Sequence, residues 1–188
     1  MDGKQLIEIG NRHHKDMVRM GWSNPDKSDE HYLMLIIGEI SEAIQAHRKG
    51  NVLYSKIVPE SFVSEYVDNP HVPNALFKHT FENYCKDSTA DELADVMLRL
   101  LSLIWLRGYN EDVTNKETFD FCNVFTEDAL RLTRLLISEI PVRERLWNAL
   151  YYVVEWSESL DIDIMQSCVR KMRYNRIRED WKNKEKRY

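Results

Sequence analysis

The chain has 188 residues, of which 43% are apolar and 30% charged, and a formal net charge of −5 at pH 7. This length and apolar content suit one globular domain over residues 1–188. The acidic balance argues against nucleic-acid partners, because phosphate backbones recruit clustered basic side chains. Three cysteines without CxxC spacing, no long apolar run and no signal-like start predict a cytoplasmic protein that keeps its thiols reduced and does not enter a membrane.

The first half of the chain predicts long helices followed by an irregular stretch. Apolar periodicity and turn residues place helices over 3–20, 29–49 and 74–86. Ser28 or Asp29 is a suitable N-cap for the second of these helices. Three prolines between the second and third helices predict irregular structure over 51–73.

The second half is also predicted to be helical. Ser88 and Thr89, each followed three residues later by an acid, form two overlapping capping boxes that open a helix running to Arg107. Thr114 with Glu117 suggests a cap for a short helix. Three further helices are expected over 126–140, 142–159 and 162–181. The fold class that follows is an all-α, multi-helix bundle.

The helix that opens at Ser88 has an inverted polarity. Residues 91–107 read DELADVMLRLLSLIWLR and are apolar almost all round. The polar exceptions share one narrow stripe at helical spacing: Glu92, Asp95, Arg99 and Ser102. Such a helix must be buried, and buried carboxylates are costly unless a cation, a donor or a proton meets them.

A second acidic pair lies on the earlier helix. In GEISEAIQAHRKG, Glu39 and Glu42 are one turn apart and are flanked by apolar residues on both sides. Together with Glu92 and Asp95, four carboxylates are expected to converge in an acidic metal cleft between two helices. Oxygen ligands without His or Cys favour Mg²⁺, with Mn²⁺ as a substitute, over zinc.

Short internal matches predict a degenerate second repeat over 126–180. LIIGEI (35–40) is similar to LLISEI (135–140), and ELAD (92–95) aligns with ERLW (144–147). The second copy lacks acids that the first copy has at two of the four positions. The chemistry is therefore expected to reside in the first copy.

These motifs carry a resemblance to a known family. GW, a spacer, YLMLIIGEISEAIQAHRKG and later DELADVMLRLL resemble the MazG-like, all-α nucleoside triphosphate pyrophosphohydrolases, which include dimeric dUTPases and dCTP pyrophosphatases. The family's Glu-x-x-Glu and Glu-x-x-Asp motifs correspond here to Glu39, Glu42, Glu92 and Asp95. Two departures stand out. Gly38 replaces the first acid of the family's usual doublet, and residues 51–88 look like an insertion between the motifs.

The resemblance implies a function and a site. A magnesium-bound nucleoside triphosphate would be cleaved between its α and β phosphates, giving a nucleoside monophosphate and pyrophosphate. The closing helix, CVRKMRYNRIRED, is similar to the family's segment near the triphosphate, so it places there Lys171, Asn175 and Arg178. The alternative interpretation of this helix is a solvated basic end that complements the helix dipole. Trp22 would stack on the base or serve only in packing. Related families are dimers or tetramers, which implies a homodimer or homotetramer.

Several alternatives stay open at this point. Arg99 is expected either to pair with Glu42 or to reach the substrate. The chain is alternatively a catalytically silent helical protein that binds a nucleotide or a partner. His13, His14 and Asp16 suggest a phosphohydrolase of the HD type, although no second His-Asp pair accompanies them. Oligomerisation through Leu98, Leu101, Trp105 or Trp156 is expected because these helices look too apolar for a small bundle.

Overall fold

A computed structural model describes residues 3–21, 23–52, 60–110 and 119–178. All regular secondary structure within these ranges is helical. The helices are α1 (Gly3–Met20), α2 (Asp29–Arg48), α3 (Glu60–Val63, continuing as a π-helical turn over Ser64–Asp68), α4 (Asn74–Tyr84), α5 (Thr89–Leu106), α6 (Phe125–Leu136), α7 (Val142–Ser159) and α8 (Ile164–Ile177). The predicted all-α bundle is confirmed.

Helix α5 lies at the centre of the bundle. It packs against α1, α2, α7 and α8, while α6 packs on α2 and α7. Nearly all of its side chains are buried, the exceptions being Asp95, Arg99, Ser102 and Leu106. Three of these exceptions belong to the predicted polar stripe, so the inverted polarity is confirmed. The acidic end of α5 is therefore held inside the bundle by packing from four directions.

The predicted caps agree with the structure better than some predicted ends. Ser28 caps α2 and Ser88 caps α5, where its Oγ accepts a hydrogen bond from the backbone N–H of Asp91 at 3.2 Å. The helix predicted over 126–140 is present as α6, but its predicted end was wrong, because α6 ends at Leu136. Beyond it, Ser138 turns its hydroxyl back to the Leu135 carbonyl at 2.8 Å.

The early end of α6 bears on the predicted repeat. LLISEI straddles the end of α6, whereas LIIGEI lies within α2, so these two segments do not share a conformation. The second match fares differently, since ELAD and ERLW both lie in the first two turns of their helices. The correspondence is therefore limited to α5 and α7. The short helix predicted at Thr114 and Glu117 lies outside the described residues.

Hydrogen bonds join the two ends of the segment over 51–88, at the point where the chain leaves α2 and enters α5. Asn51 O accepts hydrogen bonds from the backbone N–H of Thr89 at 2.6 Å and from its hydroxyl at 2.9 Å, and Val52 O accepts from Ala90 N at 3.0 Å. The helix predicted over 74–86 is confirmed as α4, whereas α3 and the π-helical turn form over residues 60–68, where irregular structure was predicted. These helices bury a small separate apolar cluster: Val63, Val67, Phe77, Phe81 and Cys85, closed by Tyr174 of α8.

Two arginines fasten this segment to α8. Arg170 makes a two-pronged contact with the Asp68 carboxylate, and Arg173 donates to the backbone carbonyls of Asn69 and Val72. The guanidinium of Arg173 also lies 4.1 Å from the centre of the Phe77 ring. The described part of segment 51–88 is therefore anchored to the helix that carries Lys171, Asn175 and Arg178.

The apolar side chains proposed for a subunit interface are all buried within one chain. Leu98, Leu101, Trp105 and Trp156 are at most 8% exposed. The reason is that α1, α2 and α8 pack against α5, while α6 and α8 pack against α7, so these side chains are covered within the described part of the chain. A homo-oligomer remains a prediction, but these four residues do not supply its interface. In the described part of the chain, no helix is long and apolar enough to span a membrane.

Two helical glycines give a matched test of this packing. A Cβ at Gly10 of α1 would lie 2.4 Å from the Trp105 ring, whereas a Cβ at Gly38 of α2 meets nothing within 4 Å. We expect Gly10→Ala to destabilise the protein by about 1–3 kcal/mol, because the indole is packed and donates to Asn11 Oδ1. Gly38→Ala should stabilise it by about 0.5–1 kcal/mol, because alanine is the better helix former.

Chemical denaturation of both variants checks this prediction. A Gly10→Ala variant as stable as the wild type would contradict the docking of α1 on Trp105.

Candidate active site

Helix α5 brings three acids into the interior in its first two turns. Asp91 and Glu92 are buried, and Asp95 is half-buried. The capping of α5 by Ser88 fixes the position of this turn. Acids near a helix N-terminus also benefit from the helix dipole. Asp91 was not among the predicted site residues, because the spacing of the polar stripe favoured Glu92 and Asp95.

Lys171 of α8 neutralises two of these acids. Its Nζ lies 2.9 Å from Asp91 Oδ2 and 2.7 Å from Asp95 Oδ2. The Lys171 side chain is only 7% exposed. Burial disfavours the ammonium, but the two aspartates outweigh burial and raise the pKa of Lys171 above its usual value. Lys171 therefore stays charged and is engaged with two acids, whereas the resemblance predicted that it would hold phosphate oxygens.

Glu39 of α2 faces the same region and is paired differently. Its Oε1 accepts a hydrogen bond from Nε of Arg99. Arg99 therefore pairs with Glu39, whereas the sequence suggested that it would pair with Glu42 or reach the substrate. Burial raises the pKa of Glu39 despite this partner. One carboxylate oxygen from each of Glu39, Glu92 and Asp95 lies within 4.8 Å of the other two. Three of the four predicted ligands therefore converge.

Glu92 is the unsatisfied member of this trio. Its carboxylate makes no hydrogen bond or ion pair within the described ranges, although the residue is only 5% exposed, and the Lys171 ammonium acts on it through its charge alone. Burial raises the pKa of Glu92 to about 8, with Lys171 opposing and the neighbouring acids adding to the shift. An ionised carboxylate here needs a cation, and a protein that supplied none would hold Glu92 protonated at neutral pH.

Glu42 stands apart from the trio. It is exposed on α2 and lines a cleft of about 340 Å³ whose wall also includes Glu39 and Asp95. It therefore contributes negative charge to the cleft without lying within the group of close oxygens. Its place one turn from Glu39 leaves its carboxylate accessible to a molecule bound in the cleft.

The end of α8 also reaches this cleft, as predicted for two of its residues. Asn175 and Arg178 line the wall beside Asp95. Asn175 is only 7% exposed, and its Oδ1 has no hydrogen-bond partner within the described ranges. Such a buried amide oxygen is costly unless a ligand or water satisfies it. Trp22, the predicted base-stacking residue, lies outside the described residues.

The sequence did not reveal the far wall of the cleft. Asn24 and Lys27 line it, and both lie in the turn that precedes α2. Arg107, just past the end of α5, secures this turn by donating to the Pro25 and Lys27 carbonyls and to the Asp29 carboxylate. This contact spans about 80 positions along the chain, so no local pattern could have indicated it.

The histidine alternative receives little support from the geometry. His13 of α1 is buried and lines the cleft, but Asp16 is paired with Arg176 of α8 at 2.6 Å. Burial lowers the pKa of His13 to about 4, so its imidazole is neutral. Within the described ranges, no group of close potential metal ligands includes a histidine. An HD-type metal site is therefore not what these residues form.

No protein-family model, curated protein or solved structure matches this chain.

The raised pKa of Glu92 predicts how stability depends on pH in metal-free protein. The folded state keeps a proton on Glu92 up to about pH 8, whereas the unfolded chain releases it near 4.5. Stability should therefore fall as pH rises through this window. Glu92→Gln removes that loss, so it should match the wild type near pH 4.5 and exceed it above pH 8, by at most about 5 kcal/mol.

Urea denaturation in EDTA at several pH values measures this difference. Glu158→Gln, on the exposed end of α7, is the control and should give a difference that does not vary with pH. A Glu92→Gln variant that is less stable than the wild type at pH 9 would contradict the assignment of Glu92 as an unsatisfied buried acid.

Proposed function

We propose that this protein is a Mg²⁺-dependent nucleoside triphosphate pyrophosphohydrolase that releases a nucleoside monophosphate and pyrophosphate. The observation that carries the proposal is the buried carboxylate of Glu92 close to Glu39 and Asp95, which line a cleft with basic side chains. Within the described ranges, no ion pair accounts for an acid in this position. The sequence resemblance to MazG-like enzymes supports the same reaction.

The donor set fits a hard divalent cation. Glu39, Glu92 and Asp95 offer oxygen atoms only, and Mg²⁺ prefers carboxylates together with several retained waters. When bound, the cation would draw charge from the triphosphate and make its phosphorus more electrophilic. Mn²⁺ has similar preferences and is the expected substitute.

The cleft supplies contacts for the rest of the substrate. Lys27, Arg99 and Arg178 line it. Lys27 and Arg178 suit phosphate oxygens, whereas Arg99 donates through Nε to Glu39 and offers a phosphate only its remaining N–H groups. Lys171 is not in this set because it is bound to Asp91 and Asp95. The unpartnered amide of Asn175 is suited to a hydroxyl or amino group of the nucleotide.

Glu42 is suited to orient the attacking water. It lies on the cleft wall, is exposed, and is one helical turn from Glu39. In the proposed step, the water oxygen forms a bond to the α phosphorus while one water proton passes to the Glu42 carboxylate. The bond between the α phosphorus and the α–β bridging oxygen breaks, and pyrophosphate leaves with that oxygen and the electron pair.

A pyrophosphate-release screen across the ribo- and deoxynucleoside triphosphates, with and without Mg²⁺, tests the proposal. The double variant Glu39→Gln, Glu92→Gln should lose at least about 100-fold in Mg²⁺-dependent release, because two of the three close oxygen ligands lose their charge. Glu158→Gln should retain full activity. Full release by the double variant, or release of inorganic phosphate in place of pyrophosphate, would contradict the assignment.

A second outcome separates catalysis from binding. Lys171 and Arg99 already offset the charges of Asp95 and Glu39. Because less negative charge is then left for a catalytic metal, these ion pairs favour a protein that binds a metal–nucleotide complex without cleaving it. Such a protein would show a higher melting temperature with Mg²⁺ and a nucleotide but no turnover.

A further inference from the structure

We infer that the acidic centre binds a single divalent cation of its own, because the Lys171 ammonium occupies the place where Asp91 and Asp95 would otherwise hold a second. The inference rests on the proposed function insofar as it concerns the same metal centre. It assigns Lys171 the role of a built-in cation and a positioning residue for Asp95, distinct from phosphate binding.

The geometry gives Lys171 this role. Its Nζ is 2.9 Å from Asp91 Oδ2 and 2.7 Å from Asp95 Oδ2, both within the range of charge-assisted hydrogen bonds. The residue is 6% exposed, so its side chain cannot swing into solvent and free these oxygens. A second cation bridging Asp91 and Asp95 would have to occupy the volume that the ammonium fills.

The charges of the centre agree with one cation. Five carboxylates lie on the facing sides of α2 and α5, and Lys171 and Arg99 reduce their formal charge to −3. One divalent cation on the trio of Glu39, Glu92 and Asp95 leaves −1. A second would make the centre positive in a site where Lys171 is already fixed, and like charges at close range repel.

The other group of close acids does not supply an independent site. Asp87, Asp91 and Glu92 offer oxygens within 4.8 Å of one another, but this group shares Glu92 with the trio. Asp87 is exposed and paired with Lys86 at 2.6 Å. Asp91 Oδ2 accepts from Lys171 and from the backbone N–H of Asp87, while its Oδ1 has no hydrogen-bond partner within the described ranges. Asp91 Oδ1 would contact a cation only if a second cation were bound.

A consequence for the substrate follows. Any further magnesium in the working complex must arrive with the triphosphate, since the protein's own acids hold one cation. Lys171 holds Asp95 through Oδ2, so the buried ammonium fixes the direction in which the rest of this carboxylate can bind a cation. Lys171 thus sets the orientation of a ligand without contacting the nucleotide.

Counting Mn²⁺ in nucleotide-free protein tests the inference. The electron paramagnetic resonance signal of free Mn²⁺, titrated against protein, should give one tight site in the wild type. Lys171→Met removes the ammonium while keeping a stem of similar length, and it should give two sites. Lys171→Met combined with Asp91→Asn should return the count to one.

A wild-type count of two, or a Lys171→Met count that stays at one, would overturn the inference. The wild-type count stands even where Lys171→Met does not fold. Asp91→Asn alone, which leaves Lys171 on Asp95, should keep one site. This readout is separate from hydrolysis: one Mn²⁺ with no turnover sinks the proposed function alone, whereas two Mn²⁺ with turnover sink this inference alone.

Discussion

The Lys171 ammonium between Asp91 and Asp95 is the interaction on which the rest of the structure depends. The most apolar helix of the chain carries acids into the bundle, and desolvation would expel them without a partner of opposite charge. Removing one member of such a buried pair typically costs about 3–5 kcal/mol. Helix α8 must therefore pack where it does, with its lysine against the first two turns of α5. The position of the cleft between α2, α5 and α8 follows from that packing.

The acids around this lysine fall into satisfied and unsatisfied groups. Asp91, Asp95 and Glu39 each form an ion pair, whereas Glu92 forms none among the described residues. A protein selected for stability alone would not retain such a carboxylate at 5% exposure. Local destabilisation of this kind is concentrated at functional sites, where a ligand relieves it. Stability and activity are thus linked at one residue.

The sequence predicted much of the fold because helix periodicity and caps are local signals. The bounds of α1, α2 and α7 and the buried character of α5 all came from side-chain spacing within one helix. The same spacing selected Glu39, Glu92 and Asp95, which the structure brings together. What could not be predicted depends on contacts between distant segments. The pairing of Lys171 with Asp91 and the attachment of the turn before α2 by Arg107 both join residues about 80 positions apart.

The attachment of segment 51–88 to α8 gives this segment a mechanical role. Where the chain leaves α2 and where it enters α5, the carbonyls of residues 51 and 52 accept hydrogen bonds from the N–H groups of residues 89 and 90. These bonds join the two ends of segment 51–88. Its outer part nevertheless grips α8 through Arg170, Arg173 and the aromatic stack of Phe81 on Tyr174. These contacts flank Lys171 and Asn175 on the same helix. Segment 51–88 thus supports α8 from outside the bundle. Its length has little bearing on how α2 meets α5, but its packed helices control how firmly the Lys171 ammonium is held.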